Sequence, residues 1–156
     1  MMRSLVVYYS RTGTTKSVGE AIARELGADC EEIIDLKKRI GLRPIRWIIA
    51  GKDAWRRKLT DIKIQKSPDD YDVIIIGTPI WAGRMTPAAR TYLESQKLDG
   101  KKVGFFCTGS GSKAFEEMKK LVPKSSVIGS LGIRAREVKF GSYGEKVKSF
   151  VESLAS

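Results

Sequence analysis

The hydrophobic positions of the chain form two kinds of pattern that alternate along it. Four short runs of β-branched or aromatic residues are continuous, as in strands buried on both faces. These runs are Leu5 to Tyr9, Val73 to Gly77, Val103 to Cys107 and Val127 to Ile133. Cys30 to Ile34 is a fifth and weaker strand candidate.

Apolar residues recur three and four positions apart between and after these runs, which predicts amphipathic helices. The helical sets are Val18, Ile22 and Leu26; Ala89, Tyr92 and Leu93; Phe115, Met118 and Val122; and Val147, Phe150, Val151 and Leu154. Thr86-Pro87 predicts a helix start, and Gly27 predicts a helix end. Alternating strands and helices predict an α/β fold, a three-layer sandwich around a five-stranded parallel sheet.

The length of 156 residues suits a single domain, residues 1–156. The hydrophobic share of 42% and the charged share of 30% are ordinary for a soluble protein. No apolar run approaches the length of a membrane span, and the first apolar stretch is too short for a signal peptide. A cytoplasmic location is therefore expected.

Side-chain chemistry limits the reactions open to this chain. It has no histidine, so Ser-His-Asp and Cys-His nucleophile systems are excluded together with the commonest metal ligand. Cys30 and Cys107 are far apart and outside any Cys-x-x-Cys pair, which predicts two free thiols. Redox or transfer chemistry would have to come from a borrowed cofactor.

The net charge of +11 is concentrated in one basic insert at about residues 37–58. This insert contains nine Lys or Arg residues and one acid, Asp53. It therefore contributes +8 of the total charge. A crossover helix with a solvated charged face is the simplest interpretation. The alternatives are a lid over a cofactor, a dock for an acidic partner, and an amphipathic helix on an anionic membrane. Nucleic-acid binding rests on charge alone and is disfavoured.

The loop after the first predicted strand is rich in hydroxyl groups and leads directly into a helix. It reads Ser10-Arg11-Thr12-Gly13-Thr14-Thr15. Unpaired amides at a helix N-terminus and short hydroxyls suit a terminal phosphate. A P-loop is rejected because Thr15 stands where its last glycine should be, and a single glycine does not make a dinucleotide fingerprint. A mononucleotide is favoured, while a simple helix cap is the alternative.

Two further loops are predicted at the same edge of the sheet. One follows the third predicted strand from Thr78 to Met85 and contains Trp81, and the other runs from Thr108 to Ser112. In open α/β sheets, ligands bind beyond the carboxyl ends of the strands at the switch point of strand order. The three loops would provide a hydroxyl cradle, a tryptophan platform and a glycine-rich backbone wall.

With these motifs the chain resembles the flavodoxin family over essentially its whole length. The family's T/S-x-T-G-x-T pattern appears as Ser10, Thr12, Gly13 and Thr15. Tyr71-Asp72, a strand and then Thr78-Pro79-Ile80-Trp81 are also typical of it. The resemblance implies a flavodoxin-like sheet in the order 2-1-3-4-5, non-covalent FMN, and electron transfer or a related flavin reduction.

The resemblance also implies which residues hold the flavin. The phosphate would lie on Ser10, Arg11, Thr12, Gly13, Thr14 and Thr15. The ring would stack on Trp81, with Gly83 near N5 and with Pro79, Ile80 and Ala82 around it. The pyrimidine edge would meet the backbone of Thr108, Gly109, Ser110 and Gly111.

Two features depart from an electron-carrier flavodoxin. The loop after the fourth predicted strand has no aromatic residue, so one flavin face is expected to be open. An open face favours the alternative of an NAD(P)H-dependent flavin or quinone reductase, and a regulatory flavin protein is a third option. The chain is basic where carrier flavodoxins are usually acidic, so its redox partner is expected to be acidic. Phe115 is assigned to the core, and Cys107 to a small buried position.

Overall fold

The fold is described from a computed structural model, which covers residues 2–36, 60–109 and 112–155. Its strands are β1 (Ser4–Tyr8), β2 (Asp29–Glu32), β3 (Ile34–Asp35), β4 (Ile62–Lys63), β5 (Val73–Trp81), β6 (Arg84–Met85), β7 (Lys102–Thr108) and β8 (Ser126–Ile133). Its helices are α1 (Thr14–Leu26), α2 (Pro87–Ser95), α3 (Ser112–Lys120), α4 (Ala135–Lys139) and α5 (Gly144–Leu154). A 3-10 turn spans Pro68–Asp70.

Five parallel strands form the central sheet in the order β2-β1-β5-β7-β8. Leu5 of β1 pairs with Asp29 of β2 on one side and with Ile74 of β5 on the other. Because β5, β7 and β8 are the third, fourth and fifth predicted strands, the predicted order 2-1-3-4-5 is confirmed. The carboxyl ends of β1, β5 and β7 therefore meet at one edge of the sheet.

Helices cover both faces of this sheet, so the predicted three layers are confirmed. Side chains alternate between the two faces along β1: Val6 and Tyr8 pack with α1 and α5, whereas Leu5 and Val7 pack with α2 and α3. The central strands are buried on both sides, which explains why they read as continuous apolar runs.

The predicted helix boundaries have the expected local chemistry. Thr86 caps α2, its hydroxyl accepting the amide of Ala89 at 3.4 Å, and Pro87 occupies the first helical position. Gly27 ends α1 in the left-handed region at φ 68°, where glycine carries no side-chain penalty. In the described ranges, no helix is long and apolar enough to cross a bilayer.

The structure contains elements that the sequence pattern did not indicate. Strand β5 continues past Gly77 to Trp81 and turns back through β6, so six of the eight residues of the predicted Thr78–Met85 loop are in strands. The sequence did not predict this extension, because it contains Pro79 and follows Gly77, and glycine and proline ordinarily interrupt a strand pattern. The short β3–β4 pair and helix α4 were also missed. The basic insert, residues 37–58, lies outside the described residues.

Candidate functional site

The loop between β1 and α1 has a conformation that its glycine and serine determine. Gly13 is the N-cap of α1 at φ 93°, in the left-handed region, and a Cβ at this position would meet only open space. The Ser10 hydroxyl oxygen accepts the amides of Gly13 and Lys16, each at 3.1 Å. Ser10 thereby closes the loop, while its own hydroxyl proton remains available to an anion.

This loop presents donors and positive charge together. Within the part of the chain that the structure describes, the amides of Thr12, Thr14 and Thr15 donate no hydrogen bond. The first turn of α1 contains no acidic residue, although acidic residues ordinarily stabilise that position. The Thr12 and Thr14 hydroxyls lie 3.3 Å apart above the helix N-terminus. Such a donor set fits a phosphate monoester.

Thr15 connects this loop to the end of the fourth parallel strand. Its side chain is buried, and its hydroxyl oxygen lies 2.7 Å from that of Thr108 on β7. Each hydroxyl has one proton, so one of the two donates to the other and the second proton is free for a further acceptor. The loop from Ser10 to Thr15 and the loop after β7 are thereby held in fixed relation.

A tight hairpin at the end of β5 forms the second part of the site. Trp81 pairs with Arg84, and the two residues between them, Ala82 and Gly83, have φ angles of 51° and 77°. Positive φ at both central positions is the type I′ hairpin turn. Glycine adopts this geometry freely, whereas Ala82 carries a strain of about 1 to 2 kcal/mol. Strain of this kind is concentrated at functional sites.

The indole ring of Trp81 is buried and packs against its neighbours. Only 3% of Trp81 is exposed. Tyr9 meets its ring edge-on at a centroid distance of 5.7 Å, and the Arg11 guanidinium lies 5.4 Å from the ring centroid. Arg11 belongs to the loop from Ser10 to Thr15, so this loop and the tryptophan hairpin, two predicted parts of the site, contact each other through Arg11 and Trp81. A flavin ring could stack on Trp81 only if Arg11 moved from the face that it covers.

The glycine-rich wall is described in part. Gly109 has φ 120°, donates its amide to the carbonyl of Ile133 at 2.9 Å, and lies so close to Ile80 that a Cβ would approach that side chain to 3.2 Å. A larger residue would push this loop away from β5. Ser110 and Gly111 lie outside the described residues, so their predicted roles stay predictions.

An ion-pair cluster behind the hairpin was missed by sequence reasoning. The Glu117 carboxylate on α3 accepts a hydrogen bond from Arg84 on β6 and one from Arg90 on α2, the latter at 2.8 Å. Arg90 also faces Glu94 at 3.7 Å. Glu117 therefore connects the tryptophan hairpin to the helix that follows the β7 loop. These residues are far apart in sequence and have no local motif, so only the fold could have indicated them.

The two thiols differ in burial, and neither is activated. Burial raises the pKa of Cys30 to about 11, and burial raises the pKa of Cys107 further still. Cys107 is buried at the end of β7, as predicted for a small apolar position. Phe115 packs against the core, also as predicted. Among the residues that the structure describes, no group of three or more potential metal ligands occurs.

Comparison with known proteins agrees with this architecture. The family model described as flavodoxin matches residues 3–130. The chain belongs to the flavodoxin family. No curated protein matches it.

Three solved structures illustrate the likeness. A Bacteroides uniformis protein assigned as a flavoprotein is 26% identical, with a TM-score of 0.79 over 97% of this chain and 98% of that one. A Lactobacillus acidophilus flavoprotein in complex with FMN is 24% identical, with a TM-score of 0.70 over 91% and 99%. Megasphaera elsdenii flavodoxin is 23% identical, with a TM-score of 0.60 over 97% and 98%. The last two support the fold alone.

Proposed function

We propose that this flavodoxin-family chain binds FMN non-covalently and passes electrons to an acidic redox partner protein. The observation that carries the proposal is the loop from Ser10 to Thr15, which begins a helix without acidic residues in its first turn. The amides of Thr12, Thr14 and Thr15 donate no hydrogen bond within the described residues. A phosphate dianion is stabilised there by the helix dipole and by charge-assisted hydrogen bonds. The hydroxyls of Thr12 and Thr14 would complete its coordination.

The remainder of the cofactor would lie along the carboxyl edge of the sheet. Trp81 would provide the surface for the ring, and Gly109 would bring backbone close to its edge. When bound, FMN supplies the one- and two-electron chemistry that no side chain of this protein provides. The protein's own groups bind the phosphate, orient the ring and exclude water from one of its faces.

The acidic partner is proposed from charge. A net charge of +11 favours association with an acidic protein, because opposite fields accelerate encounter. The basic insert at residues 37–58 carries most of this charge and is proposed to govern partner choice. A cytoplasmic location stays a prediction.

An absorption spectrum of the purified protein tests the proposal. We expect a yellow protein that releases FMN, and not FAD, on denaturation. Failure to bind added FMN at micromolar concentration would contradict it. Titration with NADH and NADPH separates the carrier from a reductase, because only a reductase would bleach the flavin band directly at the rate of turnover.

A further inference from the structure

Helix α4 lies beside the candidate flavin site, in a segment to which the sequence assigned no role. It begins immediately after β8, whose last residue, Ile133, accepts the Gly109 amide at 2.9 Å. The helix is held in place by Val138 and Tyr143, which pack on the core beneath it, and it contacts α1. The outer side of α4 thus lies at the same sheet edge as the three site loops.

That outer side combines positive charge with an exposed aromatic ring. We call the exposed residues Arg134, Arg136, Lys139 and Phe140 the α4 surface. Phe140 is 76% exposed, and the Lys139 ammonium lies 5.9 Å from the centroid of its ring. Arg134, Arg136 and Lys139 form no ion pair within the described ranges. Phe140 is the most exposed large hydrophobic residue among those that the structure describes, and the cations around it give this surface a positive charge that an acidic partner would complement.

The one acid in this segment, Glu137, acts on Arg134 but forms no ion pair with Arg136 or Lys139 among the described residues. Glu137 accepts the Arg134 amide at 2.7 Å and pairs with the Lys146 ammonium. These bonds, first the one from Lys146, and the nearby charges of Lys146 and Arg134 lower the pKa of Glu137. The charge of Glu137 thus acts on Lys146, on the backbone and on Arg134. The Arg136 and Lys139 side chains remain available to an external anion.

We infer that the α4 surface docks an acidic redox protein next to the flavin. Arginine and aromatic residues are the types enriched at the centres of protein interfaces. The cations would steer an acidic partner and fix its orientation, while Phe140 would lose its water on contact. The inference rests on the proposed function, because it takes the partner to be an electron-transfer protein.

A binding measurement that does not depend on flavin chemistry tests this docking surface. The probe is a fluorescently labelled plant-type [2Fe–2S] ferredoxin, chosen as an acidic redox protein, and its anisotropy is followed at low ionic strength. The variant R134Q/R136Q/K139Q is compared with K97Q/K102Q/K124Q, whose lysines are exposed at the opposite edge of the sheet. Both triple variants lose the same net charge, so the comparison isolates position from total charge.

We expect the α4 variant to bind the probe at least tenfold more weakly than the wild type, and the control to stay within about threefold. Phe140→Ser should weaken binding threefold or more, by an amount that added salt does not change. Equal weakening by the two triple variants, full binding by the α4 variant, or no binding by the wild type would each overturn the inference. Flavin content, measured in parallel by absorption, reports separately on the proposed function.

Anionic vesicles provide the second arm of the experiment. If Phe140→Ser releases the protein from phosphatidylserine vesicles but leaves ferredoxin binding intact, the surface is a membrane contact and the inference is wrong. Loss of ferredoxin binding without any vesicle association supports it.

Discussion

The loop from Ser10 to Thr15, where we propose that the phosphate binds, and the hairpin from Trp81 to Arg84 are held in place in two different ways. The loop from Ser10 to Thr15 is short and polar, and the Ser10 hydroxyl fixes it by accepting the amides of Gly13 and Lys16, so its geometry follows from a few adjacent residues. The hairpin from Trp81 to Arg84 is fixed from outside, by Tyr9, Arg11 and Glu117. Neighbouring residues therefore fix the geometry of the loop, whereas the geometry of the hairpin depends on tertiary packing.

The largest effect that this contrast predicts comes from the outer support of the hairpin. Glu117→Gln leaves two guanidinium groups without their shared carboxylate, so we expect the free energy of unfolding to fall by about 3 kcal/mol in urea titrations. The hairpin would loosen where the flavin ring is proposed to bind. FMN and riboflavin share this ring, so their affinities should fall by the same factor.

Glu94→Gln is the matched control for this variant. Glu94 also faces Arg90, at 3.7 Å, but it does not contact the hairpin. Its effect on unfolding should stay below about 1 kcal/mol, because Glu94 itself is exposed and Arg90 keeps its bond to Glu117. Equal flavin affinity in Glu117→Gln and the wild type would show that the cluster stabilises the fold without supporting the site.

The loop from Ser10 to Thr15 should respond in the opposite manner. Thr12→Ala removes an exposed hydroxyl that, among the described residues, bonds only to Thr14, so the fold should be unaffected. FMN binding should weaken by about 2 kcal/mol, the usual size for a hydrogen bond to a charged group, while riboflavin binding stays unchanged. Calorimetric titration of both ligands measures the difference. An equal loss for both would remove Thr12 from the phosphate site.

Much of the fold was predictable because its signals are local. The buried strands, the Thr86 cap and the Gly27 helix end each depend on a few neighbouring residues. The phosphate site predicted at the loop after β1 stays a prediction. The extension of β5 to Trp81 was not predictable, because Gly77 and Pro79 interrupt the pattern that defines a strand. The contact between Glu117 and Arg84 joins residues 33 positions apart, and the sequence pattern does not indicate it.

Trp81→Phe tests the ring platform while preserving most of the packing. Stacking is worth about 0.5 to 1.5 kcal/mol beyond the buried area, so FMN affinity should fall by about 1 kcal/mol. The fluorescence of the bound flavin should rise, because the indole quenches it more strongly than a phenyl ring. Unchanged fluorescence together with unchanged affinity would assign Trp81 to the core.

The smallest predicted effect is the reactivity of the two cysteines, which reports on how tightly the protein packs around Cys30 and around Cys107. Burial raises the pKa of Cys30 to about 11, so iodoacetamide should modify it slowly at pH 8 and about tenfold faster per pH unit up to pH 10. Cys107, which is buried near the end of β7, should stay unmodified over the same pH range. Mass spectrometry after alkylation resolves the two sites. Faster labelling of Cys107 than of Cys30 would show that the structure around the end of β7 opens readily.

The central claim is that the amides at the start of α1 hold the FMN phosphate, and nuclear magnetic resonance tests it most directly. Proton–nitrogen spectra of the flavin-free protein are recorded while FMN or riboflavin is added. The account predicts that the amide signals of Thr12, Thr14 and Thr15 shift strongly with FMN and little with riboflavin. If FMN binds and these three signals do not move, the phosphate lies elsewhere and the claim is wrong.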